Sequence, residues 1–198
     1  SKDSMKMMFK KTVNDWWTRK LKEECHTKKT LAYVNIDDLS TTKCHPVWST
    51  VRANCFDVQR SHVKAKLLTD TYLLQSHVAK FKKVDDDICK LCKSEAEDRG
   101  HFLIQCTALV EVREIWLTKI KDLITNQSGN EVWEEIISDR DTILKVILDN
   151  SLLRYSVLKQ LSRDNFKELE TLTRIYCFKL HFLRCQLLQK DPGVAARE

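Results

Sequence analysis

A short cluster of cysteines and one histidine constrains this chain more than any other feature. Cys89, Cys92, His101 and Cys106 follow the pattern C-x2-C-x8-H-x4-C, and the residues between the second and third of them, KSEAEDRG, are hydrophilic. A CxxC turn brings two thiolates to one tetrahedral ion, and a histidine and a cysteine five residues apart can reach the same ion across a helix start. The sequence therefore predicts a segment that folds around one metal ion.

The donor set of this cluster suits zinc, and four ligands fill the tetrahedron, so no position remains for a catalytic water. We predict one structural Zn²⁺ held within residues 85–108. Two alternatives stay open. The cysteines can be buried thiols that happen to precede a surface histidine, or the CxxC pair can be redox-active. The second alternative normally comes with a βαβ pattern, which this sequence lacks.

The rest of the chain is expected to be helical. Glycine and proline number only 3 and 2 in 198 residues, and β-rich folds rely on both in their turns. We predict an all-α fold, with a single helical domain over 1–198 and the zinc-binding segment 85–108 as a small insert. Eight cysteines in a chain that can bury its own core favour reduced thiols over disulfides.

Apolar residues at helical spacing locate the helices. In residues 4–27 they form one stripe that we expect to be buried, whereas residues 31–36 can form a short extended segment. Pro46 is expected in the first turn of the second helix. The expected helices cover residues 4–27, about 47–58, 60–70, 109–125, 131–138 and 141–149, and from 162–164 to a stop at Pro192–Gly193.

The charge balance indicates an anionic partner. The chain has 34 basic and 28 acidic residues, a formal net charge of +6.

The sequence contains no run of 18 or more apolar residues and no apolar signal core at its start. We therefore expect no membrane partner and an intracellular location, either nuclear or cytoplasmic.

Two segments resemble a known family. HPVWSTVRANCFDVQRSHVKAKLLTDTYLLQSHVAKF, followed by CKLCKSEAEDRGHFLIQC, resembles the region downstream of the reverse transcriptase in non-long-terminal-repeat retrotransposons, particularly jockey-like elements of invertebrates. RIYCFKLHFLRCQLL is similar to the end of those polyproteins, so the resemblance spans about residues 16–188. It implies that the CCHC motif helps to engage RNA or DNA, and that a reverse transcriptase domain acts upstream or in trans.

No catalytic set is recognisable in the chain itself. The reverse-transcriptase signature, an aromatic residue followed by paired aspartates on a hairpin, is missing, and the run Asp85–Asp87 is expected to be a polar turn. Neither an endonuclease constellation nor a phosphate-binding loop is found. We therefore expect a module that is not an enzyme and has no small-molecule substrate.

Basic and aromatic residues are interleaved between residues 60 and 83. Lysine and arginine neutralise phosphates, and an aromatic ring gives an unpaired base a surface on which to stack. The predicted nucleic-acid contacts are Arg60, Lys64, Lys66, Tyr72, Lys80, Phe81, Lys82 and Lys83. A solvated helix face with aromatics in the core would give the same pattern, and the basic N-terminal helix is a second candidate surface.

These features predict a module that positions template RNA or target DNA. The alternative is a domesticated protein-interaction or scaffolding domain in which zinc only stabilises the fold. Cys177, His181 and Cys185 lie four residues apart on the last expected helix and can form a second metal site. Because their flanks are apolar, packing in the core is the preferred interpretation.

Overall fold

The computed structural model of the chain describes residues 2–83 and 86–190. Within these ranges the fold is all-α, as predicted, and the β-type pairing is limited to one isolated bridge between Ile88 and Ala96. Short 3-10 segments and one π-helical turn, His101–Gln105, complete the structure. The α-helices are α1 Lys2–His26, α2 Pro46–Ser49, α3 Cys55–Leu68, α4 Gln75–Lys82, α5 Val110–Ser128, α6 Asn130–Ser138, α7 Arg140–Leu148 and α8 Arg163–Lys190.

Helix α8 is the central element, and α3, α5 and α7 pack against it. At about 1.5 Å per residue its 28 residues extend about 42 Å. The apolar stripe predicted for this helix is buried, since Leu169, Tyr176 and Leu180 have no exposed surface. The predicted stop at Pro192–Gly193 lies outside the described residues.

Helices α5 to α7 follow the sequence prediction closely. The expected segments 131–138 and 141–149 correspond to α6 and α7 within one residue at each end. Asp139 separates the two helices and caps α7, because its Oδ2 accepts a hydrogen bond from the Thr142 N–H at 2.9 Å. Hydrogen bonds from Thr142 lower the pKa of this carboxyl below its usual range.

Helix α1 does not bury its apolar stripe, and this prediction was wrong. Met5 and Phe9 are 71% and 72% exposed. The helix instead turns polar residues toward the rest of the chain: Thr18 Oγ1 lies 3.1 Å from Thr41 Oγ1, and Lys22 donates a hydrogen bond to a backbone carbonyl. Apolar spacing identified the helix, but spacing does not determine which face finds a partner.

Two predictions between α1 and α3 were also wrong. The segment 31–36 is not extended, because a turn in which the Val34 N–H donates to the Leu31 carbonyl at 2.9 Å folds it back. The helix expected over 47–58 is two helices. The second of them begins at Cys55 because Asn54 Oδ1 accepts from the Asp57 N–H at 2.9 Å and caps a new start.

One continuous hydrophobic cluster runs from Val34 to Leu180 and includes Cys89 and Cys106. Within the described residues, none of the helices combines the length and the hydropathy that a membrane span requires. Two cysteines of the predicted metal motif, Cys89 and Cys106, belong to the main core, and Cys92 packs against it.

Candidate metal centre

The first half of the metal motif is a tight hairpin-like loop built by backbone hydrogen bonds. The Glu97 N–H donates to the Asp87 carbonyl and the Cys89 N–H to the Glu95 carbonyl, both at 2.8 Å. At the tip, the Lys93 N–H donates to the Cys89 carbonyl at 2.8 Å, and Lys93 adopts a left-handed backbone with φ of 57°. The chain therefore reverses between Cys89 and Glu95.

The second half of the motif is the π-helical turn His101–Gln105. Asp98 Oδ1 accepts a hydrogen bond from the His101 N–H at 2.6 Å and begins this turn. The Cys106 N–H donates to the His101 carbonyl at 2.8 Å and ends it. The i to i+5 hydrogen bond, wider than that of an α-helix, brings Cys106 back beside His101.

The ligand atoms of Cys89, Cys92, His101 and Cys106 all lie within 4.8 Å of one another. The Sγ atoms of Cys89 and Cys106 are 3.8 Å apart, and Cys92 Sγ lies 3.3 Å from His101 Nε2. A tetrahedral ion with metal–sulfur bonds of about 2.3 Å would separate two sulfurs by about 3.8 Å. The four residues are therefore compatible with a single structural metal site.

The three thiols of this site differ in their pKa values. Burial raises the pKa of Cys106 to about 12, and burial also raises the pKa of Cys89. Burial acts in the same direction on Cys92, but hydrogen bonds donated by the Ser94 hydroxyl and N–H outweigh it and lower this pKa to about 6. A divalent cation would stabilise all three thiolates at once.

Glu97 is a buried residue of this site that the sequence did not indicate. Its carboxylate accepts hydrogen bonds from Arg184 Nε at 2.8 Å and Nη2 at 2.9 Å, and from the Gln75 N–H at 2.9 Å. Glu97 Oε1 also lies 3.9 Å from Cys89 Sγ. This ion pair ties the metal loop to α8 and to the start of α4, across a sequence separation that no spacing pattern reveals.

Two further side chains support the ligands from outside. Glu95 Oε2 lies 3.4 Å from Nδ1 of His101, the ring nitrogen opposite the one that faces Cys92. Arg113 of α5 is buried and donates hydrogen bonds to the carbonyls of Leu103 and Cys106. These contacts fix the imidazole and the π-helical turn, as outer partners do in many metal sites.

Two of the predicted nucleic-acid contacts are interior residues, and for these the prediction was wrong. Lys64 is completely buried, and its Nζ donates to Glu170 Oε2 and Thr173 Oγ1, both at 2.7 Å. Tyr72 is 7% exposed, and its ring stacks on Phe102 with centroids 5.3 Å apart. Both residues lie on the side of their segment that faces the core, which charge and aromaticity alone do not reveal.

The other predicted contacts lie nearer the surface. Arg60 is half-buried and lies 3.6 Å from Asp57. The remaining side chains are exposed, and Phe81 is 81% exposed. They are Lys66 at the end of α3, and Lys80, Phe81, Lys82 and Lys83 at the end of α4. Their contact with nucleic acid stays a prediction.

The second possible metal site does not assemble in the described part of the chain. Among the described residues, the cluster around Cys89 is the only group in which three or more potential metal ligands lie close together. Cys177 is fully buried, and burial raises its pKa to about 12. Cys185 is half-buried with Sγ 3.6 Å from His181 Nδ1, which lies 2.8 Å from the Tyr72 hydroxyl. Packing accounts for Cys177 without a metal.

Comparisons of the chain with protein-family models, with curated proteins and with solved structures give no match. The resemblance to retrotransposon polyproteins therefore depends on the sequence segments quoted above. The metal centre, the exposed charges and the packing of the helices are the observations from which a function can be inferred.

Proposed function

We propose that the chain is a nucleic-acid-binding module stabilised by one structural Zn²⁺, which positions template RNA or target DNA for a reverse transcriptase domain upstream or in trans. The observation that carries the proposal is the exposed basic end of α4, which immediately precedes the metal loop. The resemblance to the C-terminal part of jockey-like retrotransposon polyproteins supports the same ligand class.

Zinc is the proposed metal because of the donor set. Three thiolates and one imidazole are ligands that zinc accepts in tetrahedral structural sites, and they leave no open position for chemistry. Cys89, His101 and Cys106 are at most 3% exposed. The loop between the ligands is polar, so the metal would supply the local stability that a hydrophobic core supplies elsewhere.

The basic end of α4 is suited to a phosphate backbone. Lys80, Lys82 and Lys83 project into solvent, and over residues 2–83 and 86–190 none of them forms an ion pair with a carboxylate. Phe81 lies among them with 81% of its surface exposed. An exposed ring flanked by cations combines the two features that bind single strands, stacking and phosphate neutralisation.

The test is binding of labelled single-stranded RNA and duplex DNA, measured by fluorescence anisotropy over a series of salt concentrations. In the α4 variant, Lys80, Lys82 and Lys83 are all replaced by Gln. Each lost phosphate contact should reduce the magnitude of the slope of log K against log salt by about 0.7 for a single strand or 0.9 for a duplex. The proposal expects the α4 variant to lose about two to three units of slope.

The control variant replaces Lys119, Lys121 and Lys179 by Gln, which removes the same charge from α5 and α8. It should bind like the parent chain. Phe81→Ala should weaken single-strand binding by about 1–3 kcal/mol with little change in slope. No binding at physiological salt by folded, metal-loaded protein, or an α4 variant indistinguishable from the control variant, would contradict the proposed surface.

The outward apolar face of α1 favours the scaffolding alternative. Trp16 and Trp17 are 43% and 55% exposed, with ring centroids 4.6 Å apart, on the same helix as the exposed Met5 and Phe9. Exposed apolar groups of this size on one helix are typical of protein-interaction surfaces. The binding assay separates the two functions, because a scaffolding domain would show no affinity for RNA or DNA at physiological salt.

A further inference from the structure

Two cavities adjoin each other where α8 begins. They have volumes of about 810 and 820 Å³ and share four lining residues, Pro46, Arg154, Arg163 and Phe166. The walls come from the loop before α2, the 3-10 segment Asn150–Leu153 and the first turns of α8. We call this concave surface the basic groove.

The lining of the groove carries an excess of unpaired positive charge. Among the described residues, five cationic side chains of the lining have no carboxylate within ion-pair distance; they are Lys43, Arg52, Arg154, Lys159 and Arg163. The acidic residues of the lining are Asp38, Glu168 and Glu170, and Glu170 is already paired with Lys64 at 2.7 Å. A concave surface with an excess of positive charge attracts a polyanion.

One polar group beside the second cavity lacks a hydrogen-bond partner in the described residues. Asn150 is 3% exposed and lines this cavity, yet its Nδ2 has no hydrogen-bond partner in the described structure. A buried amide donor without a partner is costly.

Aromatic groups give the groove a second kind of contact. Tyr155 lines the first cavity and is 85% exposed, so its ring is free to stack. The Arg154 guanidinium lies 4.9 Å from the centroid of the Phe166 ring, which holds this cation at the point where the two cavities adjoin. Cations beside an exposed ring are the pairing that binds single-stranded nucleic acid, because phosphates and unpaired bases are both available to it.

We propose that the basic groove binds a single strand of RNA or DNA, with phosphates on Lys43, Lys159 and Arg163 and a base stacked on Tyr155. The groove is separate from the metal centre, since the rise along α8 from Phe166 to Arg184, the partner of Glu97, is about 27 Å. This inference rests on the proposed function in one respect: both assign a nucleic acid to the chain. The two surfaces are otherwise independent, because the groove and the end of α4 share no residue.

The groove variant tests the phosphate contacts of the proposal. In this variant Gln replaces Lys43, Lys159 and Arg163. These side chains are exposed, so the variant should fold like the parent, which circular dichroism checks. Binding of labelled oligouridine and oligothymidine should weaken, and the magnitude of the slope of log K against log salt should fall by about two. The control variant, altered at Lys119, Lys121 and Lys179, should keep the parent's slope.

Substitutions of Tyr155 test the proposed base stacking independently of the phosphate contacts. Tyr155→Ala should weaken single-strand binding about 5- to 150-fold with little change in the salt slope, whereas Tyr155→Phe should bind like the parent. Because the side chain is 85% exposed, neither substitution should disturb folding. Equal binding by the Ala and Phe variants would overturn the stacking contact.

The outcomes separate this site from the surface at the end of α4. If the groove variant has a salt slope of smaller magnitude while the α4 variant binds like the parent, the groove is supported and the α4 surface is contradicted. If the α4 variant has the smaller slope and the groove variant binds like the parent, the groove is overturned. A groove variant that binds single strands like the control variant also overturns it. Two further results overturn the assignment of a single strand: a larger loss for duplex DNA than for single strands, or competition by polyglutamate as effective as by oligouridine.

Discussion

Replacing Glu97 by Gln would test how the metal loop is held in the fold. The carboxylate is 2% exposed and accepts two hydrogen bonds from Arg184 and one from the Gln75 N–H. Burial alone would lower the pKa of Arg184, but its hydrogen bonds to Glu97 outweigh burial and raise it, so the guanidinium remains charged. A Gln amide at position 97 would leave the charge of Arg184 uncompensated. Its NH₂ group would also face the N–H donors of Arg184 and Gln75.

We expect Glu97→Gln to lower the free energy of unfolding by about 3–5 kcal/mol, which is the usual cost of removing one partner of a buried ion pair. Glu97 is not a ligand, so the metal stoichiometry should not change. Metal affinity should fall about 10- to 100-fold, because the ion pair with Arg184 holds the metal loop in place. Urea unfolding followed by circular dichroism, with saturating zinc, measures the first effect, and competition with a chelator measures the second.

Glu95→Gln is the matched control. Glu95 belongs to the same loop, but its side chain is 64% exposed, and its contact with His101 is 3.4 Å long. This substitution should cost less than about 1 kcal/mol of stability. If Glu97→Gln costs no more than Glu95→Gln, the buried ion pair does not anchor the loop and the reasoning is refuted.

Three other predictions concern single groups. Lys64→Met should cost about 3–5 kcal/mol in urea unfolding without changing the salt slope of nucleic-acid binding, whereas the exposed Lys66→Met should cost little. Burial acts to raise the pKa of Asp149, but hydrogen bonding to His45 outweighs it and lowers this pKa, so its stabilisation is complete at neutral pH and lost below about pH 4. Asp149→Asn should therefore cost about 1–3 kcal/mol at neutral pH and make the unfolding free energy less dependent on pH in acid. Zinc affinity, measured by chelator competition, should rise about tenfold or more per pH unit near pH 7–8, because Cys106, with a pKa of about 12, must lose its proton; an affinity independent of pH would contradict this.

Local features of the sequence were reliable guides to this fold. The ligand spacing identified the four residues that the structure brings together, because each half of the motif is built by hydrogen bonds between near neighbours. Helices α6 and α7 were correctly separated since Asp139 supplies a local cap. Helix α8 was recognised because its buried stripe is long and regular.

The incorrect predictions for individual side chains depended on contacts between distant segments, whereas those for residues 31–36 and 47–58 overlooked a local turn and a local helix cap. Lys64 was taken for a surface cation because its partner, Glu170, lies on another helix. Tyr72 was taken for a stacking platform although it packs on Phe102. The ion pair between Glu97 and Arg184 could not be predicted from the sequence pattern around either residue. Periodicity and composition describe one helix at a time, whereas these side chains are positioned by tertiary packing.

The metal content of the chain tests the central claim most directly. Native mass spectrometry of protein purified without chelator should find one zinc ion per chain, and Cys92→Ser should lose it together with the local structure of the metal loop. A Cys177→Ala/Cys185→Ala variant should keep the one ion. Protein that carries no zinc, or a Cys92→Ser variant that still binds one ion as tightly as the parent, would contradict the account.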